Sequence, residues 1–403
     1  MFVARLTGAS VGGGLRAVAS WPEAGFPRFS EGEMHRRRVL LAELLAQARV
    51  DRVVVYGASG TGDAVQWLTG WPVTREAAAV WAPGEAVTLF VQYRNHVPTA
   101  RLAAAEDVQV RWGGPSTARS VAEELLRRGG SSPRGALGGP LPAAAWRDLA
   151  AHVREVVDLT GPYVRLRLVK SPEELAWLRA GAAFTDRAAA ALERALQLGV
   201  TEFELVDAVE RAYVPLGGAT HIHFLSVTSM KHPDRCVPAQ FPSARRVGPG
   251  DVVVCEVSAA FWGYAGQLLR TFVVHGEPAP LFRTLHEVAE EALQEAFQRL
   301  RPGAPARDLQ AALEVVRRAG WTLCDDLVHG FGGGYLPPVL GPDGFERPED
   351  AELVLQPGMA VVVQPNVVSP DRQAGVQTGE LVLLTEEGME FPHNYPRGLR
   401  LVG

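Results

Sequence analysis

Gly250-Asp251-Val252-Val253-Val254-Cys255-Glu256 decides how the second half of this chain is read. Four consecutive small apolar residues closed by a carboxylate describe a strand buried on both faces. A charge at the end of such a run needs a partner or a ligand, because a bare buried carboxylate is costly. Gln267 follows Glu256 by eleven positions, across the turn-prone Gly263-Tyr264, and opens Leu268-Leu269-Arg270-Thr271-Phe272. That spacing predicts a hairpin with Glu256 and Gln267 on adjacent strands. Two readings of Glu256 stand: an ion-pair partner of a nearby cation such as Arg270, or a carboxylate that faces a ligand.

Three more segments extend this frame: Val328-His329-Gly330-Phe331-Gly332-Gly333-Gly334-Tyr335, then Pro357-Gly358-Met359 with Gln364-Pro365, then Gly375-Val376-Gln377-Thr378-Gly379-Glu380. In order and spacing they resemble the pita-bread fold family of creatinase, aminopeptidase P, prolidase and methionine aminopeptidase. The metallopeptidases of that family hold two divalent metals with two Asp, one His and two Glu. The five corresponding positions here read Glu256, Gln267, His329, Gln364 and Gly379. One carboxylate, one imidazole and two neutral amides make a poor set for two cations, which need several carboxylates to neutralise and bridge them. No metal and no organic cofactor is expected.

The resemblance implies an α/β (α+β) protein in two parts: a small N-terminal creatinase-like α/β domain over residues 1–160 and a pita-bread domain over 161–403. Two domains also suit a chain of 403 residues. In the first, helical spacing of Met34, Val39, Leu40, Leu44 and Leu45 predicts a helix over 33–48, and Val53–Tyr56 and Val87–Val91 read as strands. Trp67-Leu68-Thr69-Gly70-Trp71 resembles a segment common in the small domain of creatinase-like proteins. Helices are expected at 118–128 and 141–156. Lys170-Ser171-Pro172-Glu173-Glu174 is a helix start, with Pro in the first turn and acids at the positive end of the dipole. Helices are then expected at 172–198, 202–215, 281–300 and 305–319, and strands at 222–228, 251–258, 268–274, 359–368 and 375–385.

The family's Pro-His-x-x-Pro segment matches Pro238-Ala239-Gln240-Phe241-Pro242, so Ala239 stands where a His is expected, and a second His position falls near Leu336. Other histidines are available. His221 and His223 alternate along a strand pattern, and His232 lies in the loop before Pro238. Imidazole titrates near neutrality, so His223 or His232 is a candidate base beside Glu256 and His329. Gln267, Gln364, His221 and Tyr335 are candidate substrate contacts. Glu380 joins them only if a strand slips by one residue. By resemblance to creatinase-like dimers, Arg94 and His96 of one N-terminal domain reach the partner's pocket.

Three functions remain open on these residues. One is a metal-independent enzyme that cleaves a C–N bond of a small polar nitrogen-containing molecule. The second is a silent domain that binds a peptide or metabolite. The third is a residual metal-dependent Xaa-Pro peptidase. The net charge of −5 argues against nucleic acid as a partner. The basic run His35-Arg36-Arg37-Arg38 reads as a solvated helix face. Cys236, Cys255 and Cys324 form no CxxC pair, which fits a reducing cytoplasm. Met1–Trp21 has no long apolar segment, and no membrane span is expected.

Overall fold

The computed structural model describes residues 25–129, 134–139, 141–151, 155–342 and 348–403. Met1–Trp21 lies outside them. Packing divides the chain into two units that meet in sequence at Glu173 and Glu174.

The N-terminal unit is a mixed sheet of order β4-β3-β2-β1-β5-β6, with β1 Arg52–Ala58, β2 Glu76–Trp81, β3 Thr88–Val91, β4 Gln109–Trp112, β5 Arg134–Gly138 and β6 Glu155–Asp158. Helices α1 Glu31–Ala48, α2 Asp63–Thr69, α3 Val97–Ala103, α4 Thr117–Gly129, α5 Ala143–Ala150 and α6 Thr160–Leu166 accompany it. The helix expected over 141–156 is cut to α5, because Val156 and Val157 pair with β5 as a parallel strand. Their β-branched side chains favour that pleated setting. Helix α6 carries the unit past the joint expected at residue 160. Its Tyr163 is buried, donates to the Ala64 carbonyl at 2.9 Å and meets Trp67 edge to face.

The basic run is not a solvated face. Arg37 is fully buried, donates to Glu33 at 2.6 Å and to the Trp67 carbonyl at 2.8 Å, and stacks on Phe29. Charge spacing alone did not distinguish Arg37, one helical turn from Glu33 and on the core side of α1, from its less buried neighbours Arg36 and Arg38.

The C-terminal unit is built on a ten-stranded sheet whose main path runs β13-β12-β14-β17-β10-β8-β7. Its strands are β7 Ala219–Ser229, β8 Asp251–Phe261, β9 Tyr264–Ala265, β10 Leu268–Val274, β12 Val328–Gly330, β13 Leu336–Leu340, β14 Ala360–Val363 and β17 Gly379–Thr385, with β18 Gly388–Glu390 and β19 Arg400–Val402 joined beside β17 and β10. A three-stranded sheet pairs β11 Thr322–Leu323, β15 Asn366–Val368 and β16 Gly375–Gln377. Expected strands 359–368 and 375–385 each divide between these two sheets. Pro365 lacks the N–H a continuous ladder needs, which breaks the first of them.

Helices α7 Pro172–Ala195 and α8 Glu202–Arg211 cover one face of the large sheet. Phe184, Leu192, Leu205 and Tyr213 pack there on Val253, Cys255, Val257, Leu268 and Phe272. Cys255 is thus the core residue its sequence context suggested. Helices α9 Pro280–Arg299 and α10 Ala311–Arg318 follow, then α11 Pro348–Ala351. The contact of α7 with the sheet depends on two glycines. A Cβ on Gly266 would lie 2.4 Å from the Ala182 Cα, and one on Gly181 would lie 2.3 Å from the Tyr264 carbonyl oxygen. Thr185 locks this contact. Its hydroxyl accepts the Ala259 N–H at 2.9 Å and lies 3.0–3.3 Å from the carbonyls of Gly181, Ala259 and Gly266.

Thr185→Val, which keeps the shape and removes the hydroxyl, leaves buried backbone groups with one partner fewer. It is expected to cost about 1–3 kcal/mol. A urea titration should show a lower midpoint with an unchanged slope.

Candidate functional site

Strand register brings five separated residues onto one face. Glu256 lies opposite Leu269 in the β8–β10 ladder, and Gln267 is two residues before Leu269. Gly379 pairs with Leu269 across β10 and β17. His329 pairs with Val362 across β12 and β14, and Gln364 is two residues beyond Val362. Directly opposed residues share a face, and alternate residues return to it. Glu256, Gln267, His329, Gln364 and Gly379 therefore all face away from the helices α7 and α8.

The side chains form a buried polar strip. The Gln267 amide donates to Glu256 Oε1 at 2.5 Å and to Gln364 Oε1 at 3.2 Å. The Gln364 amide donates in turn to Asp326 Oδ1 at 3.2 Å. Burial pushes the Glu256 carboxyl up to about 8, with the nearby charge of Asp325 adding to it. Burial also pushes Asp326 up to about 8, with Asp325 adding and the Tyr335 hydroxyl opposing. His329 moves the other way, down to about 4, because burial disfavours the imidazolium. Its Nδ1 lies 3.1 Å from the Gly330 carbonyl, an acceptor, so Nδ1 carries the hydrogen and Nε2 presents the lone pair. Tyr335 stacks on the ring at 4.4 Å. His221 meets Phe331, which meets His329, so His221 stands at the exposed rim.

Several candidates lie elsewhere. Glu380 pairs with Leu268, one residue out of phase with the strip, and points to the helix-covered face. There it accepts from Arg270 at 2.6 Å and pairs with Arg397 at 3.3 Å. Arg270 also donates to the carbonyls of Leu269, Gly379, Pro396 and Tyr395. The cation that the sequence offered as a partner for Glu256 is thus committed to Glu380, and the strand does not slip. His223 pairs with Val257 and also faces the helices, where its Nε2 lies 2.6 Å from the Tyr213 hydroxyl. That hydroxyl is bridged through Thr220 to Glu210. His223 belongs to this structural network and not to the strip. His232 is exposed in the loop beyond Ser229, with its backbone N–H on Ser229 Oγ. Neighbouring Asp234 bonds Thr228, four residues along β7 from the Phe224 that pairs with Glu256, or about 13 Å at strand rise. Arg94 and His96 belong to the N-terminal unit, where Arg94 lies over Trp112 and His96 Nδ1 meets Thr74 Oγ1 at 2.8 Å.

Two participants carried no motif. Asp325 and Asp326 sit in the link between β11 and β12. The acidic pair immediately before Val328-His329 was the available signal. His393 was also missed. It bridges Asp186 Oδ1 at 2.9 Å and the Gln267 carbonyl at 3.0 Å, and so anchors the strand start from which Gln267 projects.

A dinuclear metal centre does not fit these residues. The amide nitrogen of Gln267, whose hydrogens a cation repels, is the group placed against Glu256 and Gln364. The room a fifth ligand would need at Gly379 is filled: a Cβ there would lie 2.6 Å from Leu269 Cδ1 and 2.9 Å from the Val363 carbonyl oxygen. No group of three or more His, Cys, Asp or Glu side chains among the described residues is placed to hold a metal ion.

The sequence model described as metallopeptidase family M24 matches residues 176–386. The probable dipeptidase PepE of Mycobacterium tuberculosis is 31% identical over 281 residues, covering 66% of this chain and 72% of that protein. A creatinase of a Bacillus species is 26% identical over 389 residues, covering 92% and 93%. The crystal structure of dipeptidase PepE from Mycobacterium ulcerans superposes with a TM-score of 0.76 at 26% identity, covering 93% of this chain and all of that one.

Because Glu256 titrates higher in the folded chain than in the unfolded one, folding takes up a proton between the two values. Stability therefore falls as pH rises from about 4.5 toward about 8 and levels above that. Glu256→Gln keeps the acceptor for Gln267 and removes the titration. Its unfolding midpoint should fall less than the wild type's between pH 5 and pH 9 in a thermal series.

Proposed function

The chain belongs to metallopeptidase family M24, and from that premise we propose a metal-independent enzyme that cleaves a C–N bond of a small polar nitrogen-containing molecule. The observation that carries this reading is the opposed titration of Glu256 and His329 on one face of the sheet. Near neutrality Glu256 holds a proton, and His329 is a neutral imidazole in contact with the Gln364 side chain. Environments that drive two groups apart in this way supply an acid and a base at the same pH.

In the proposed reaction His329 Nε2 takes a proton from water as the water oxygen bonds to the substrate carbon. The C–N bond breaks, and the Glu256 proton goes to the leaving nitrogen. Transfer from His329 back to Glu256 restores the starting state. Gln267 fixes the Glu256 carboxyl through its 2.5 Å bond, and Tyr335 holds the plane of the His329 ring. The resemblance to creatinase-like proteins supports a homodimer, with Arg94 and His96 offered to the partner's substrate, and the sparse cysteines support a reducing cytoplasm. No helix among the described residues is long and apolar enough to cross a membrane.

The second reading is a silent binding domain. Ala239 favours it: the segment around it pairs with Leu225 of β7, beside the strand that carries Glu256, and presents a methyl group. The dipeptidase names of the relatives favour a residual metal-dependent peptidase, and the donor set described above weighs against that.

Turnover of candidate amides, guanidines and Xaa-Pro dipeptides should be assayed in chelator and with added manganese or cobalt. Activity that persists in chelator and falls at least about 100-fold in both Glu256→Gln and His329→Ala, with folding intact, is the expected result. Xaa-Pro cleavage that needs added metal would overturn it, and ligand-induced stabilisation with no turnover would favour the silent domain.

A further inference from the structure

Cys236 and Cys324 meet, although the sequence places them in different segments. Cys236 lies between β7 and β8, and Cys324 directly follows β11, in the link that carries Asp325 and Asp326. Strand β15 brings them together. Leu323 pairs with Val367, so Cys324 comes level with Asn366. The Asn366 amide donates to the Cys236 carbonyl at 3.5 Å. On the next strand, Arg235 bridges to Ala374, and a Cβ on Gly375 would lie 2.0 Å from the Cys236 carbonyl oxygen, so a glycine there is what lets the segment come this close. The two side chains are hydrogen-bonded thiol to thiol, and neither is in a disulfide. Burial pushes the Cys236 thiol up to about 11, with Cys324 adding to the rise. Cys324 is the more accessible of the two, and Cys255 is sealed in the core beneath the helices.

We propose that Cys236 and Cys324 form a reversible disulfide switch that ties the segment between β7 and β8 to the link between β11 and β12. The oxidant is a low-molecular-weight disulfide. The Cys324 thiolate attacks one of its sulfurs, a mixed disulfide forms and one small thiolate leaves. Cys236 gives up its proton and attacks the Cys324 sulfur, and the second small thiolate leaves. The protein pair is oxidised by two electrons, the reagent is reduced to two thiols, and the two protons from the cysteines end on them. The order follows from access. Cys324 is open to the reagent, whereas buried Cys236 stays protonated until a sulfur is held beside it. In a reducing compartment such a bond is transient, which suits a sensing device and not a structural staple. The consequence is local. Cys324 adjoins Asp325, and Cys236 leads into Ala239, which exchanges both backbone hydrogen bonds with Leu225 of β7. Closing the bond clamps these two connections together, whatever the polar strip binds or turns over.

The test exposes the reduced full chain to glutathione disulfide, blocks the remaining thiols and maps the peptides by mass spectrometry. A Cys236–Cys324 linked peptide within one chain, Cys255 still a thiol, and full reversal by dithiothreitol are the expected result. Oxidation should raise the thermal midpoint by about 5 °C, because the bond closes a long loop of the unfolded chain. It should also slow hydrogen exchange over residues 325–327. Cys236→Ser should stop at a glutathione adduct on Cys324, and Cys324→Ser should leave Cys236 a thiol. If Cys236→Ser does not fold, a time course on the wild type gives the same answer, with the Cys324 adduct appearing before the linked peptide. An adduct on Cys324 that never resolves, cross-links between chains only, or reaction of Cys255 as fast as Cys324 would each overturn the proposal. So would a linked peptide that changes neither the midpoint nor the exchange of the link.

Discussion

The constraint on which the site depends is the two-residue alternation of the large sheet. Each strand in the path from β12 to β8 is antiparallel to its neighbour, so facing residues pair directly and parity carries across the ladder. Five residues spread over more than 120 positions of sequence reach one face because each occupies the same parity. The adjacent parity is equally determined. Cys255, Leu268, Arg270 and Glu380 all face the helices, and a one-residue slip would exchange a polar strip for a core. The buried Arg270–Glu380 pair guards against that slip, since Arg270 bonds Glu380 and four backbone carbonyls at once. Breaking one partner of such a buried pair strands the other charge, which is strongly destabilising.

This explains which parts of the site were legible in the sequence. Motif order and spacing located Glu256, Gln267, His329, Gln364 and Gly379, because spacing along strands and tight turns is local information. His223 defeated the same logic. It has the residue type of a base and sits on a site strand, but parity turns it toward Tyr213. A β-bulge between Thr220 and Ile222 further hides the phase of β7 from a reader of the sequence. Asp325 and Asp326 have neither periodicity nor motif, because they lie in a link whose path is set by the strands at its ends. The longer helices were read to within a few residues. The helix expected at 141–156 failed at its end because a parallel pairing with β5, a non-local event, overrode local preference.

The strip also shows what a sheet must tolerate in order to keep a polar site where a metal centre would need a different donor set. Two carboxyl groups, an amide oxygen and an imidazole are buried without a cation, and the acids respond by holding protons. Optimising stability alone would replace these groups with apolar residues of similar volume, as has been done elsewhere in the same sheet. Leu269 fills the space at Gly379, and Ala239 presents a methyl group near β7. Apolar filling at two positions and retained, strained polarity at the rest is a mixed pattern.

The arrangement further separates rigidity from access. Gln267 and His329 are fixed from below, the first by its bonded side chain and by His393 on its carbonyl, the second by Gly330. Tyr335 and His221 lie above them at the exposed rim. A ligand entering from that rim meets aromatic faces first and the acids of the strip beneath. Orientation is thereby set by stacking before the polar groups of the ligand are buried.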